Sequence, residues 1–205
     1  MTAIEALASA SAVYLDASAL PKIDIEEDPS SPLVRCLIYM SRVPAYCSLV
    51  GFGEFITVAG KKLTQSRIGA EGYLYSCRAL LVDFGMGKLH QIEPVADRFQ
   101  FIQVARGLLS RHAGLGGGDL WHIMAALELR KALSPVAFLS FDKGLVKAAM
   151  AEGLVAVYGH DVDTDSLIQR TDVTRQVDPR MKAEPPNKGM KQTSVEHTGR
   201  SRTLR

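Results

Sequence analysis

Four acidic residues sit where a folded chain could bring them together: Asp16, Glu54, Asp119 and Asp142. Asp16 ends the apolar, β-prone run of "VYLDASAL", and Asp142 ends a similar run in "AFLSFDKGL". A buried strand that finishes in a charge needs a reason, and two of them in one chain point to ends that meet. Asp119 follows three glycines in "GLGGGDLWHI" and starts a helix, while Glu54 lies near the start of the helix after the second strand. In an open α/β sheet, ligands bind outside the carboxyl ends of the strands, near the topological switch point. That geometry places all four acids at one edge. Clustered carboxylates repel one another, and some of their pKa values rise unless cations compensate. Hard divalent ions such as Mg²⁺ or Mn²⁺ do so, with oxygen ligands from a few carboxylates and several waters. Such a site suits phosphodiester cleavage, in which the ion activates water and stabilises charge on the attacking and leaving oxygens.

Each acid alone has a plainer explanation. An Asp at a strand end is most often a turn or N-cap residue, and Asp119 suits an N-cap in particular. Glu54 alone suits a solvated helix face. The chemistry rests on their joint placement. His122 lies three residues after Asp119 on the same helical face. It reads as a packed or hydrogen-bonded helix residue and stays outside the catalytic set. "GLGGGD" lacks the ending of a phosphate-binding loop and follows a helix rather than a strand, so it reads as a hinge. No Ser-His-Asp or Cys-His set has a local signature.

The elements that must position these residues follow from pattern. Strands are expected at 12–16, 45–49, 89–94, 136–141 and 154–158. Helices are expected at 31–39, 51–63, 65–82, 95–109, 119–133 and 143–152, the first opened by Ser31 as N-cap and Pro32. Strands and helices alternate, and the strand runs are uniformly apolar. This is the pattern of a parallel sheet covered on both faces.

The 205 residues are 47% hydrophobic, enough for one well-buried domain. No apolar run approaches the roughly 18 residues of a membrane span, and the N-terminus is a poor secretory signal. Cys36, Cys47 and Cys77 show no metal-like spacing, which favours reduced thiols and a cytoplasmic location. The net charge of +2 hides an asymmetry: residues 1–169 sum to −3 (15 basic, 18 acidic), and residues 170–205 sum to +5 (9 basic, 4 acidic). The expected division is a domain over 1–165 and a basic, disordered tail over 166–205.

On these motifs the chain resembles a PIN-domain ribonuclease of the VapC-like type found as toxins of bacterial toxin–antitoxin pairs. "VYLDASAL" resembles the family's opening strand, and "SLVGFGEF" the segment with its glutamate. "GGGDLWHIMAALEL" is similar to the stretch with its third acid, and "AFLSFDKGLVKAAMAEGL" resembles its last strand–aspartate–helix unit. The resemblance covers about residues 12–158 in order. It implies a three-layer α/β/α PIN-like fold with a central, mostly parallel sheet. It implies an endoribonuclease with Asp16, Glu54, Asp119 and Asp142 as the catalytic, Mg²⁺- or Mn²⁺-binding set, and Ser18 and Ser140 as hydroxyls that orient them. It implies an RNA substrate, a cognate antitoxin, a homodimer and no membrane. The alternative is a noncatalytic PIN-like module that binds RNA or protein. Ser140 stands where the family more often has Thr, and the tail has no place in the family core. The tail's "AEPPNKGMKQT" resembles C-termini of proteins encoded in mobile gene cassettes.

Overall fold

The computed structural model describes residues 2–24, 30–94 and 97–170. Five strands form one sheet: β1 Ala12–Leu15, β2 Ala45–Cys47, β3 Leu89–Gln91, β4 Val136–Ser140 and β5 Val155–Tyr158. Their order is β3-β2-β1-β4-β5, and every neighbouring pair is parallel. β1 is central and buried at all four positions, as a strand covered on both faces requires.

Successive side chains on a strand point to opposite faces. Val13 and Leu15 of β1, with Ala137 and Leu139 of β4, join a core that includes Leu7, Leu20, Leu37, Phe55 and Leu80. Those residues come from α1 (Ala3–Ser9), the segment after β1, a π-helical turn (Cys36–Met40) that extends α3 (Ser31–Arg35), α4 (Leu49–Thr64) and α5 (Ala70–Gly85). Ala12, Tyr14, Val136 and Phe138 face the other way, into a core with Leu108, Leu120, Ile123, Leu129 and Leu145. Those come from α6 (Arg98–Arg111), α7 (Gly117–Ala132) and α8 (Lys143–Ala151). The result is the expected three-layer α/β/α arrangement.

Several boundaries differ from expectation. β2 stops at Cys47 because Ser48 turns to cap α4, accepting from the Gly51 N–H at 3.3 Å. α5 begins at Ala70, after a turn in which Ser66 adopts φ 56°. Ser30, not Ser31, precedes α3, and β3 ends at Gln91 rather than 94. The first helix was not expected, although Thr2 and Glu5 form its reciprocal cap: the Thr2 N–H donates to Glu5 Oε2 at 2.8 Å and the Glu5 N–H to Thr2 Oγ1 at 3.2 Å. Pro21–Asp24 (α2) is likewise helical. Expected helix residues 95 and 96 lie outside the described residues, and α6 starts after Asp97, whose carboxylate caps it. The last helix, α9 (Thr164–Arg170), crosses the expected domain boundary at 165, with Leu167 fully buried. The rest of the expected tail, from 171 onward, lies outside the described residues.

Candidate active site

The chain steps from β1 to β2 to β3 in one direction across the sheet, then returns to place β4 and β5 on the other side of β1. The switch point is therefore the crevice between the carboxyl ends of β1 and β4. Leu15 pairs with Leu139, which sets Asp16 beside Ser140. Asp16 is 3% exposed, and both its oxygens are held. Oδ1 accepts from the Ser18 hydroxyl (2.7 Å), the Ser18 N–H (3.1 Å) and the Ala19 N–H (3.2 Å), and Oδ2 accepts from the Ser140 hydroxyl (2.9 Å). The two serines also stitch the strand ends together. Ser18 Oγ accepts from the Phe141 N–H at 2.8 Å, and Ser140 Oγ from the Asp142 N–H at 2.9 Å. Burial pushes the Asp16 carboxyl above its ordinary value, opposed by the Ser18 hydroxyl, the charge of His122 and the bonds from Ser140 and Ala19.

Asp142 lies two residues beyond Ser140 and is exposed. Its Oδ1 caps α8, accepting from the Gly144 N–H at 2.6 Å and the Leu145 N–H at 3.1 Å. Asp119 does not start its helix as expected. α7 begins two residues earlier, and Asp119 reaches back from the first turn to accept from the Gly116 N–H at 2.8 Å. Gly117 and Gly118 extend the helix backwards from Asp119, and Gly116 is its N-cap, bonded by the acid of the first turn.

Glu54 projects from α4 onto the same end of α7. Its carboxylate packs so closely on Gly118 that a Cβ there would collide with it. Glycine in the run before Asp119 therefore makes room for Glu54. One turn earlier, Gly51 lets α4 pass His122: a Cβ at Gly51 would stand 3.2 Å from His122 Cε1. His122 itself is buried. Its Nδ1 lies 2.9 Å from the Tyr14 hydroxyl and 3.5 Å from Ser48 Oγ. Its Nε2 lies 3.5 Å from Glu54 Oε2 and has no hydrogen-bond partner.

The structure thus joins Asp16 to the Asp142 backbone through Ser140. It sets Glu54 against the helix start that carries Asp119 and His122. Among the described residues, no three His, Cys, Asp or Glu side chains converge as a group that could hold a metal ion.

No family model matches the sequence, and a search of curated proteins finds no match. Solved structures do match in fold. The crystal structure of FitAcB from Neisseria gonorrhoeae aligns at TM-score 0.51 and 15% identity, over 73% of this chain and 99% of that one. The structure of FitAB bound to an IR36 DNA fragment aligns at TM-score 0.50 and 14% identity, over 74% of this chain and 97% of that one. The fold is PIN-like. Identity this low carries the architecture and not the chemistry.

Within that PIN-like frame, two polar groups are buried at a cost. Asp16 is a carboxylate buried against its own preference, and His122 Nε2 is a buried polar atom whose bonding capacity is unfilled. Sequence reasoning left out His122 and did not find Tyr14, Ser48 or Glu93. Tyr14 is an inward-facing β1 residue, indistinguishable by pattern from a core aromatic. Glu93 follows β3 and braces the site from outside. Its Oε1 accepts from the Leu49 N–H at the start of α4, and its Oε2 from Trp121 Nε1 of α7 at 2.8 Å. One carboxylate therefore ties together the two helices that carry Glu54, Asp119 and His122.

Proposed function

We propose that the chain is a metal-dependent endoribonuclease that hydrolyses RNA phosphodiester bonds, acting as the toxin of a toxin–antitoxin pair. The observation that supports this most is the buried Asp16, bonded through both oxygens by Ser18 and Ser140 at the switch point of the sheet. Asp16, Asp119 and Asp142 would hold Mg²⁺ or Mn²⁺, with Glu54 as a further ligand or as the group that orients the attacking water. When bound, the ion makes water acidic enough to attack and neutralises charge on the phosphate. The protein's part is preorganisation. Ser18 and Ser140 fix the rotamer of Asp16, and the Asp119 and Asp142 carboxylates are each held by backbone N–H groups at a helix start. Those helix N-termini favour the negative charge of a nearby phosphate. Attack is in line, and no covalent enzyme intermediate forms.

The reading includes a cognate antitoxin as partner, and a second copy of the chain. The second copy is supported by α6, where Phe99 (71% exposed) and Ile102 (60%) face outward while Leu108 is buried. Core packing does not account for those two side chains. No helix among the described residues is long and apolar enough to cross a membrane.

The test is cleavage of a mixed structured and single-stranded RNA pool by wild type, Asp16→Asn and Asp119→Asn, with Mn²⁺, Mg²⁺ or EDTA. Cleavage is expected with either metal in wild type, and at background in both variants and in EDTA. Activity retained by both variants overturns the assignment. The second reading, a noncatalytic PIN-like binding module, is favoured by the lack of a converged metal group among the described residues. It predicts no carboxylate-dependent Mn²⁺ binding.

A further inference from the structure

We propose that His122 gives its Nε2 as a nitrogen ligand to the cation, which makes this a mixed carboxylate–imidazole site. The inference rests on the metal-dependent reading above and changes its ligand set. The ring is held on three sides. Its Nδ1 meets the Tyr14 hydroxyl at 2.9 Å, Gly51 lies against Cε1, and the Tyr14 ring packs edge-on with centroids 5.9 Å apart. Metal-ligating histidines use one ring nitrogen for such an orienting bond and the other for the metal. Here the orienting bond falls on Nδ1. With Nδ1–H donated to the Tyr14 oxygen, Nε2 carries a lone pair.

That Nε2 is buried, without a hydrogen-bond partner, and points toward Glu54. A buried nitrogen left in this state is disfavoured unless something binds it. The competing arrangement is an imidazolium paired with Glu54, but at 3.5 Å the two groups form no hydrogen bond. Two donors at right angles on one ion, each about 2.1 Å from it, stand about 3 Å apart. The observed 3.5 Å separation needs only slight closure. Carboxylate and water suit Mg²⁺ and Mn²⁺ alike, whereas an imidazole donor shifts preference toward the transition metals.

The decisive measurement uses the full-length, metal-free protein titrated with MnCl₂ or MgCl₂ by calorimetry, with pulsed EPR on the Mn²⁺ form. Wild type is expected to show coupling to a directly bound ¹⁴N nucleus. His122→Gln is expected to lose the coupling and about tenfold or more in Mn²⁺ affinity, with Mg²⁺ affinity little changed. If that variant does not fold, wild type labelled with ¹⁵N-histidine replaces it, and the coupling should change to that of ¹⁵N. Mn²⁺ bound without nitrogen coupling overturns the inference and leaves the carboxylate site standing. Coupling that survives His122→Gln, or ignores the label, also overturns it. No Mn²⁺ binding at all overturns both this inference and the nuclease reading.

Discussion

Asp16 is buried at a cost that the free protein bears. Its folded pKa is raised by burial, so ionisation disfavours the fold. The sign follows directly. Below the unfolded value of about 3.9 the group is protonated in both states and the cost is absent. The cost grows as pH rises toward the folded value and is complete above it. Asn at this position keeps the Oδ1 contacts, and its amide can donate to Ser140 Oγ. In EDTA, Asp16→Asn should therefore melt about 2–4 °C above wild type at pH 7, with the gap closing toward pH 4. Thermal melts across that range check it, and a wild type that is the more stable at pH 7 contradicts it. If Asp16 is a ligand as proposed, saturating Mn²⁺ should raise the wild-type Tm and leave the variant where it is, since a ligand that binds only the native state stabilises it.

At the scale of elements, α6 and α8 are joined at their carboxyl ends. Arg111 donates Nε and Nη2 to Glu152, each at 2.9 Å, and His112 Nε2 stands 2.8 Å from the same carboxylate. The Arg111 pair, then burial in opposition, then His112, set a Glu152 pKa below its ordinary value. A depressed carboxylate stabilises the fold above its unfolded pKa of about 4.3, and that gain is lost as pH falls through the folded value. Exposure of Arg111 keeps the gain small. Glu152→Gln should lower Tm by about 1–3 °C at pH 7, and the loss should shrink at acid pH as wild type gives up the same charge. An equal loss at acid pH would show that packing, not the ion pair, supplies the link.

For the whole molecule, the sheet leaves a layer of helices whose apolar side chains are not all covered. Phe99, Ile102 and Val104 on α6 are exposed, and an isolated chain gains by burying such groups. Light scattering after gel filtration should give twice the mass of one chain at micromolar concentration. Phe99→Asp with Ile102→Asp should give a monomer that melts close to wild type. A wild-type monomer at that concentration removes the second copy from the reading.

The fold class was legible because uniformly apolar runs of strand length, alternating with helical periods, admit few arrangements other than a covered parallel sheet. Asp16, Ser18, Ser140 and Asp142 were legible for a related reason. They sit at the ends of β1 and β4, and a parallel pair brings like ends together. Helix limits were less so: Gly117 and Gly118 read as part of a break, yet they are helical, with Asp119 bonding back to the N-cap Gly116. The pocket around His122 was decided by tertiary structure alone. Its contact with Tyr14 spans 108 positions, and its contact with Ser48 spans 74. Local pattern carries periodicity and capping, which act within a few residues. Which polar atom is left unpaired in a core depends on how helices from distant parts of the chain cross, and here Gly51 leaves room for the close pass of α4 over His122.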